Sequence, residues 1–364
     1  MMLTKSQIQS QSSVLLTFIV LDAVIMALGI FFPISNYNAI FNGVYSVLLL
    51  AYLRNNSGYW IFNILSIMFF YIFSNPKLYV LFDGFTSLLV TGLLILFTTY
   101  DFTGRDLRKI RLILLFFFIL NLLLCISPSY YFYHKIEGIR RFQGIFRSAN
   151  LSVSVMTIIG VAIWEIEKRI STPARKKILW LNIIALVILM FATRTRTLLF
   201  LLPYWAYQSY HFLDRRLFIF VVILAGAIFG QIIYQSLSTR MNLTGDQSTA
   251  TRASIYEALI RRILKNYVVI PHGSNEAYIY IQKFTKNPEY SSHNDFLRYI
   301  YDWGIYFFFF IAYIIRLIKR NVNCNLEFYL IIVAYTPLAL HNLLFLPIAW
   351  VPFCLILNIK KKIY

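Results

Sequence analysis

His293, Asn294 and Asp295 form a polar triplet on the lip of an aromatic run, "EYSSHNDFLRYIYDWGIYFFFFIAYII". Ser292 followed three residues later by Asp295 matches a capping box, which predicts a helix start at Ser292 and sets His293 in the first turn. A helix N-terminus carries partial positive charge and free N–H groups, so it attracts anions and holds a nearby imidazole neutral. A neutral imidazole accepts a proton, which is general-base chemistry. The plainer alternative is that Ser-His-Asn-Asp only caps the helix. Gly304 follows His293 by eleven residues, close to three turns, so an unbroken helix would carry both on one face, where a glycine admits close approach of a second helix. The other residues with chemical potential are arginines: Arg141, Arg147, Arg194, Arg196 and Arg252. Guanidinium groups hold anions; the alternative is that these are solvated loop charges.

The elements that must position these residues are set by composition. Of 364 residues, 59% are hydrophobic, 18% aromatic and only 13% charged, well above the roughly 45–50% apolar content of soluble domains. A bilayer span needs about 20 mostly apolar residues. Such runs lie near 13–32, 36–53, 59–74, 78–99, 110–127, 149–164, 178–192, 197–212, 217–236, 296–315, 327–342 and 344–358. The expectation is one all-α, polytopic membrane domain over residues 1–364 with about twelve transmembrane helices. The first span is read as retained, because no small-x-small cleavage site follows it. The last two runs contain Pro337, Pro347 and Pro352 and form a kinked pair or a re-entrant hairpin.

The net charge of +19 is accounted for by topology, so no nucleic-acid partner is expected. With both termini inside, cytoplasmic segments collect 19 of the 34 basic residues and the short outer loops hold seven, while eight lie between Arg240 and Arg298, in or beside a loop too long to obey the positive-inside rule. The inner basic clusters are read as topology determinants. Arg141, Arg147, Arg194 and Arg196 are then outer-face residues, against the charge rule. Cys125, Cys324 and Cys354 suggest no disulfide framework, and no His/Cys/Asp cluster at metal-ligand spacing occurs.

Residues 237–295 form the one large polar loop, placed outside between spans nine and ten. Within it "RASIYEALIRRILKNY" repeats apolar residues at helical spacing, which predicts an amphipathic helix with Arg252 near the middle of the apolar stripe and Arg261 and Lys265 on the opposite side. Arg252 therefore either binds an anion or snorkels from a helix end. Asp22 and Asp83 fall inside spans, where acids are costly. Tyr130, Tyr131 and Tyr133 read as an interfacial belt, and His341-Asn342 as a polar turn.

Taken in order, these segments resemble the O-antigen polymerase and O-antigen ligase superfamily of bacterial envelope polysaccharide assembly. His293, Asn294, nine residues and Gly304 match the ligase branch's spacing; the branch's second glycine, three residues on, is replaced by Phe307. "FATRTRTLLFLLPYW" is similar to the family's Thr/Ser-Arg-x at the outer start of a span and carries over Arg196. "TATRASIYEALIRRI" carries over Arg252, and "RRFQGIFRSANLSV" carries over Arg141 and Arg147 as weaker candidates, beside Arg194 and Asn294. The resemblance covers about residues 138–320.

The resemblance implies a metal-independent, lipid-dependent glycosyltransferase of the GT-C type, without cofactor, in the bacterial inner membrane with its active site facing outside. Its donor would be a glycan on undecaprenyl diphosphate, with membrane lipid, a flippase and a chain-length regulator as partners. In that setting His293 is the base for an acceptor hydroxyl, and Arg196 and Arg252 stabilise the leaving diphosphate. The leading expectation is a polymerase that joins lipid-linked repeat units. The alternatives are a ligase that moves the finished glycan to lipid A core or another surface acceptor, and, from another class, a lipid-linked oligosaccharide flippase.

Overall fold

A computed structural model describes residues 5–31, 38–73, 80–134, 139–146, 149–170, 175–193, 201–212, 247–265, 271–273, 275–285, 294–339 and 347–362, with isolated positions between 219 and 230. Among the described residues the chain is helical apart from turns and one small hairpin. Five helices come first: α1 (Lys5–Phe31), α2 (Asn38–Tyr52), α3 (Ser57–Phe73), α4 (Val80–Thr99) and α5 (Gly104–Leu123). The hairpin follows, β1 (Tyr131–His134) and β2 (Ile139–Phe142), then α6 (Ala149–Ile170), α7 (Arg175–Thr193) and α8 (Leu202–Phe212). The polar loop contributes α9 (Gln247–Lys265) and α10 (Glu276–Thr285). The chain closes with α11 (Asp295–Trp303), α12 (Ile305–Asn321), α13 (Leu326–Ala339) and α14 (Pro347–Ile359).

Eleven of the twelve apolar runs fall on these helices; the run at 217–236 lies outside the described residues apart from isolated positions. Two helical stretches, Ser12–Phe31 and Arg175–Thr193, are long and apolar enough to cross a bilayer, while Ser57–Phe73, Asp83–Thr99 and others are apolar but shorter.

The layering is decided by which helices are apolar on every side. In α14, Ala349, Val351, Cys354, Leu355, Ile356 and Leu357 are all buried, as expected of a helix without a polar face. It packs against α4 and α6, and α6 is buried from Val153 to Ile166 except near Thr157. Around this centre the outer helices leave large apolar side chains uncovered: Ile64, Leu65 and Met68 on α3, Leu112 and Phe116 on α5, and Ile184 and Ile188 on α7. Contiguous uncovered apolar surface of this kind marks a contact with lipid or with another protein.

Contacts at the two ends of α4 define two poles. At its start, Asp83 Oδ2 accepts from Trp303 Nε1 at 2.8 Å. At its end, Asn358 Nδ2 donates to the carbonyls of Phe97 at 2.7 Å and Tyr100 at 2.6 Å. The second pole holds a buried ion network. Lys168 pairs with Glu165 at 2.7 Å and with Glu327, and Lys360 pairs with Glu165 at 3.1 Å and Glu327 at 2.5 Å. Tyr204 Oη donates to Glu165 at 2.6 Å, Gln208 to Glu327, and Arg111 to Glu167. Basic residues read from sequence as topology determinants alone therefore also neutralise buried carboxylates and tie α5, α6, α8, α13 and α14 together. Charges so removed from water persist only when paired.

The hairpin is the departure from the all-α expectation. Tyr131 pairs with Phe142 and Phe132 with Arg141 across the two strands. Tyr131, expected as part of an interfacial belt, instead donates its hydroxyl to the Cys125 carbonyl at 2.7 Å and packs its ring on Phe142. Beyond β2 the chain turns at Gly144, with φ of 56°, and buries Ile145 and Phe146. Asn121 Oδ1 accepts from the Ile145 amide at 3.3 Å, and a methyl group on residue 144 would come within 2.6 Å of that same oxygen. Glycine is required there for both backbone conformation and space.

Removing Glu327 leaves the ammonium groups of Lys168 and Lys360 short of a buried partner. Glu327→Ala is expected to destabilise the detergent-solubilised protein by about 3–5 kcal/mol, read as a lower Tm. Glu327→Leu combined with Lys360→Leu is expected to cost less than the sum of the two single changes. Equal Tm values for Glu327→Ala and the parent would contradict the reading.

Candidate functional site

The aromatic run after Gly304 exists to seat α12 on α3. Phe62 stacks on Tyr313 with ring centroids 4.1 Å apart, Phe69 on Tyr306 at 4.8 Å, and Phe70 meets Trp303 at 4.9 Å. Such pairs add attraction beyond the area they bury.

Upstream of Gly304 the polar loop folds into a three-helix cap. Ile255, Leu259 and Ile263 of α9, Ala277 and Ile281 of α10 and Tyr301 of α11 form one buried cluster, with Leu297 and Ile300 packed against it. The amphipathic helix read from sequence is therefore present, with Arg261 and Lys265 exposed as expected. α10 was not anticipated.

The end of α11 is the joint of the cap. Asp302 accepts from the backbone amides of Ala277 at 2.7 Å and Asn275 at 3.2 Å, so its carboxylate caps the N-terminus of α10, where the helix dipole favours a negative charge. Arg298 lies 3.6 Å from Asp302, one turn earlier on α11. The amides of His272 and Gly273 donate to the carbonyls of Tyr301 and Asp302 at 3.2 and 3.0 Å. The turn between α9 and α10 is thus held on α11 by backbone and side chain together.

Two expectations about the motif itself change. The cap of α11 is Asn294, not Ser292: Asn294 is extended, with φ of −152°, and its Oδ1 accepts from the Leu297 amide at 3.2 Å. Asparagine is as good an N-cap as serine, and Asp295 becomes the first helical residue, so the first turn begins after His293. Nor is the helix unbroken to Gly304. At Gly304 φ is 54° and ψ −133°, a conformation open essentially to glycine alone, and there α11 ends and α12 begins. The motif glycine is needed for its backbone.

The structure locates the sequence candidates as follows. His293, Arg147, Arg194 and Arg196 lie outside the described residues. Arg141 is half-buried on β2, which packs against α7, the helix that ends at Thr193 just before Arg194. Asn294 caps α11. Arg252 stands in α9, and its side chain is outside the described part. α9 packs against α11, and Arg262 in the last turn of α9 is close enough to Tyr301 and His272 for its charge to act on both. Counted back at 1.5 Å per residue, Arg252 is about 15 Å along α9 from Arg262, and Asn294 about 10 Å along α11 from Tyr301. His293 is bonded to Asn294, its Cα about 3.8 Å away. Asp83, His272, Arg298, Asp302 and Trp303 carry this geometry; of these, sequence reading weighed only Asp83. The four-residue spacing of Arg298 and Asp302 was the available signal.

His272 stacks on Tyr301 with centroids 3.8 Å apart, and its Nδ1 lies 3.1 Å from the Tyr301 carbonyl. Burial lowers its pKa; the bond to Tyr301 opposes this and Arg262 adds to it. The neutral ring, with Nδ1–H donating, is the folded form. Because the unfolded cap binds the proton more readily, stability is full at neutral pH and falls as pH drops below the ordinary histidine range near 6.5. Hydrogen-exchange protection of α10, corrected for intrinsic rates, is expected to weaken between about pH 7 and 5, with a flatter profile in His272→Gln. A parent profile as flat as the variant's would contradict this.

Against known proteins, the chain matches no family model, no curated protein and no solved structure.

Proposed function

We propose that the protein is a polytopic membrane glycosyltransferase of about twelve crossings that polymerises glycan repeat units. In this reading the acceptor sugar hydroxyl gives its proton to His293 as its oxygen attacks the anomeric carbon of the donor. The bond from that carbon to the diphosphate breaks, and undecaprenyl diphosphate leaves with the electron pair. Arg196 and Arg252 stabilise the charge gathering on the diphosphate, with Arg141, Arg147 and Arg194 on the same outer face. Both termini are cytoplasmic and the chemistry is at the outer leaflet.

What supports this reading is the packing of α9, the helix bearing Arg252, against α11, the helix capped by Asn294; that the two begin at the same end of the cap is part of the proposal. The apolar side chains left uncovered on α3, α5 and α7 support the membrane setting, since lipid is the solvent that suits them.

The test is incubation of purified protein with a synthetic repeat unit on a polyprenyl diphosphate, without added metal, followed by gel analysis. A ladder of longer lipid-linked chains is expected. His293→Ala is expected to slow it by about 10²–10⁴-fold, with Arg196→Ala and Arg252→Ala also strongly impaired. An undiminished ladder from His293→Ala would overturn the assignment. Transfer only to a lipid A core acceptor would identify a ligase, and movement of units across vesicles without elongation a flippase.

A further inference from the structure

On the side of the cap away from its buried cluster, α9 and α10 enclose an open groove of about 670 Å³, within the size range of pockets that hold small organic ligands. Arg261, Arg262 and Lys265 line it against one carboxylate, Glu257. Arg261 Nη2 pairs with Glu257 at 2.5 Å, which leaves the groove with an excess of two positive charges, three less one. The floor is aromatic. Phe284 and Tyr280 are near-parallel, 26° apart with centroids at 6.2 Å, and Tyr280 continues to Tyr301 at 5.9 Å and 19°. The Arg262 guanidinium lies over the Tyr280 ring, 4.7 Å from its centroid, so a cation already covers part of one ring and Phe284 is left as the more open stacking face.

We propose that this groove binds an acidic stretch of glycan, that is, sugars bearing carboxylates. The apolar C–H face of a pyranose ring lies on Tyr280 and Phe284, while its carboxylate is taken by Arg261 and Arg262, whose planar groups match carboxylate oxygens two by two. A membrane lipid headgroup offers the same negative charge, but the paired rings of Tyr280 and Phe284 beside the guanidinium groups suit the apolar face of a sugar, which a headgroup phosphate lacks. The choice of a glycan as ligand rests on the proposed function, but the binding itself requires no transferase activity and is measured without it.

The full-length protein in nanodiscs of uncharged lipid is titrated with a fluorescent oligogalacturonide and, separately, with its methyl ester, which keeps the rings and removes the charge. The acid is expected to bind more tightly than the ester by at least about tenfold, and more weakly as salt is raised. Arg261→Gln with Arg262→Gln should abolish that preference, and Phe284→Ser, which keeps every charge, should weaken both ligands; Arg261 and Phe284 are exposed, so these changes spare the core. Equal binding of acid and ester, or parent-like binding by the double variant, would overturn the proposal. So would loss of the oligogalacturonide when phosphatidylglycerol replaces the uncharged lipid at constant ionic strength, which would assign the groove to headgroups. Binding is measured without donor or acceptor turnover, so a failed elongation assay with intact binding of the acid separates the two claims.

Discussion

Two neighbouring side chains at the end of α11 hold the polar cap to the helical bundle. Asp302 turns toward the cap and fixes the start of α10 through two amide donors. Trp303 turns the other way, fully buried, and donates to Asp83 at the start of α4. Gly304 then breaks the helix in a conformation that a side chain would resist. Everything at this pole follows from the joint: α11 cannot tilt without breaking a buried acceptor, and a buried polar group left unmade costs more than the bond itself contributes.

The opposite pole is organised by charge. Glu165 and Lys168 of α6, Glu327 of α13 and Lys360 just after α14 pair with one another, while α6 and α14 between the poles are apolar and buried. A helix buried on all sides gains no amphipathic guidance to its rotation or depth. Polar anchors at its ends supply that guidance, and the Asn358 amide on the carbonyls of α4's last turn does the same. The bundle is thus fixed at its ends and the cap hangs from one of them, which suits a site where loop residues must converge on a ligand.

Much of this was legible in the sequence, because the strongest signals are local. The apolar runs gave the helices, and the spacing of Ile255, Leu259 and Ile263 gave α9 with Arg261 and Lys265 outward. What escaped depends on partners distant in sequence. The Trp303–Asp83 bond spans 220 residues, and the pairing of Glu327 with Lys168 spans 159; nothing in either neighbourhood announces the other. The cap of α11 was misplaced by two residues because Ser292 and Asn294 are both good caps and only the fold chooses. Gly304 was read as a packing glycine because a helix pattern runs on through it, and backbone sign leaves no trace in hydropathy. The hairpin at 131–142 was hidden by tyrosines that equally suit an interface.

The central claim is that the cap gathers His293 and Arg252 at one mouth, and proximity along α9 tests it most directly. With Cys125, Cys324 and Cys354 replaced, His293→Cys is paired in turn with Ala253→Cys and with Lys265→Cys, positions about 18 Å apart on α9, and each pair is treated with a short thiol cross-linker. The expected result is rapid joining of 293 to 253 and little to 265. Preferential joining of 293 to 265 would mean that α9 and α11 run in opposite directions, and the site would have to be abandoned.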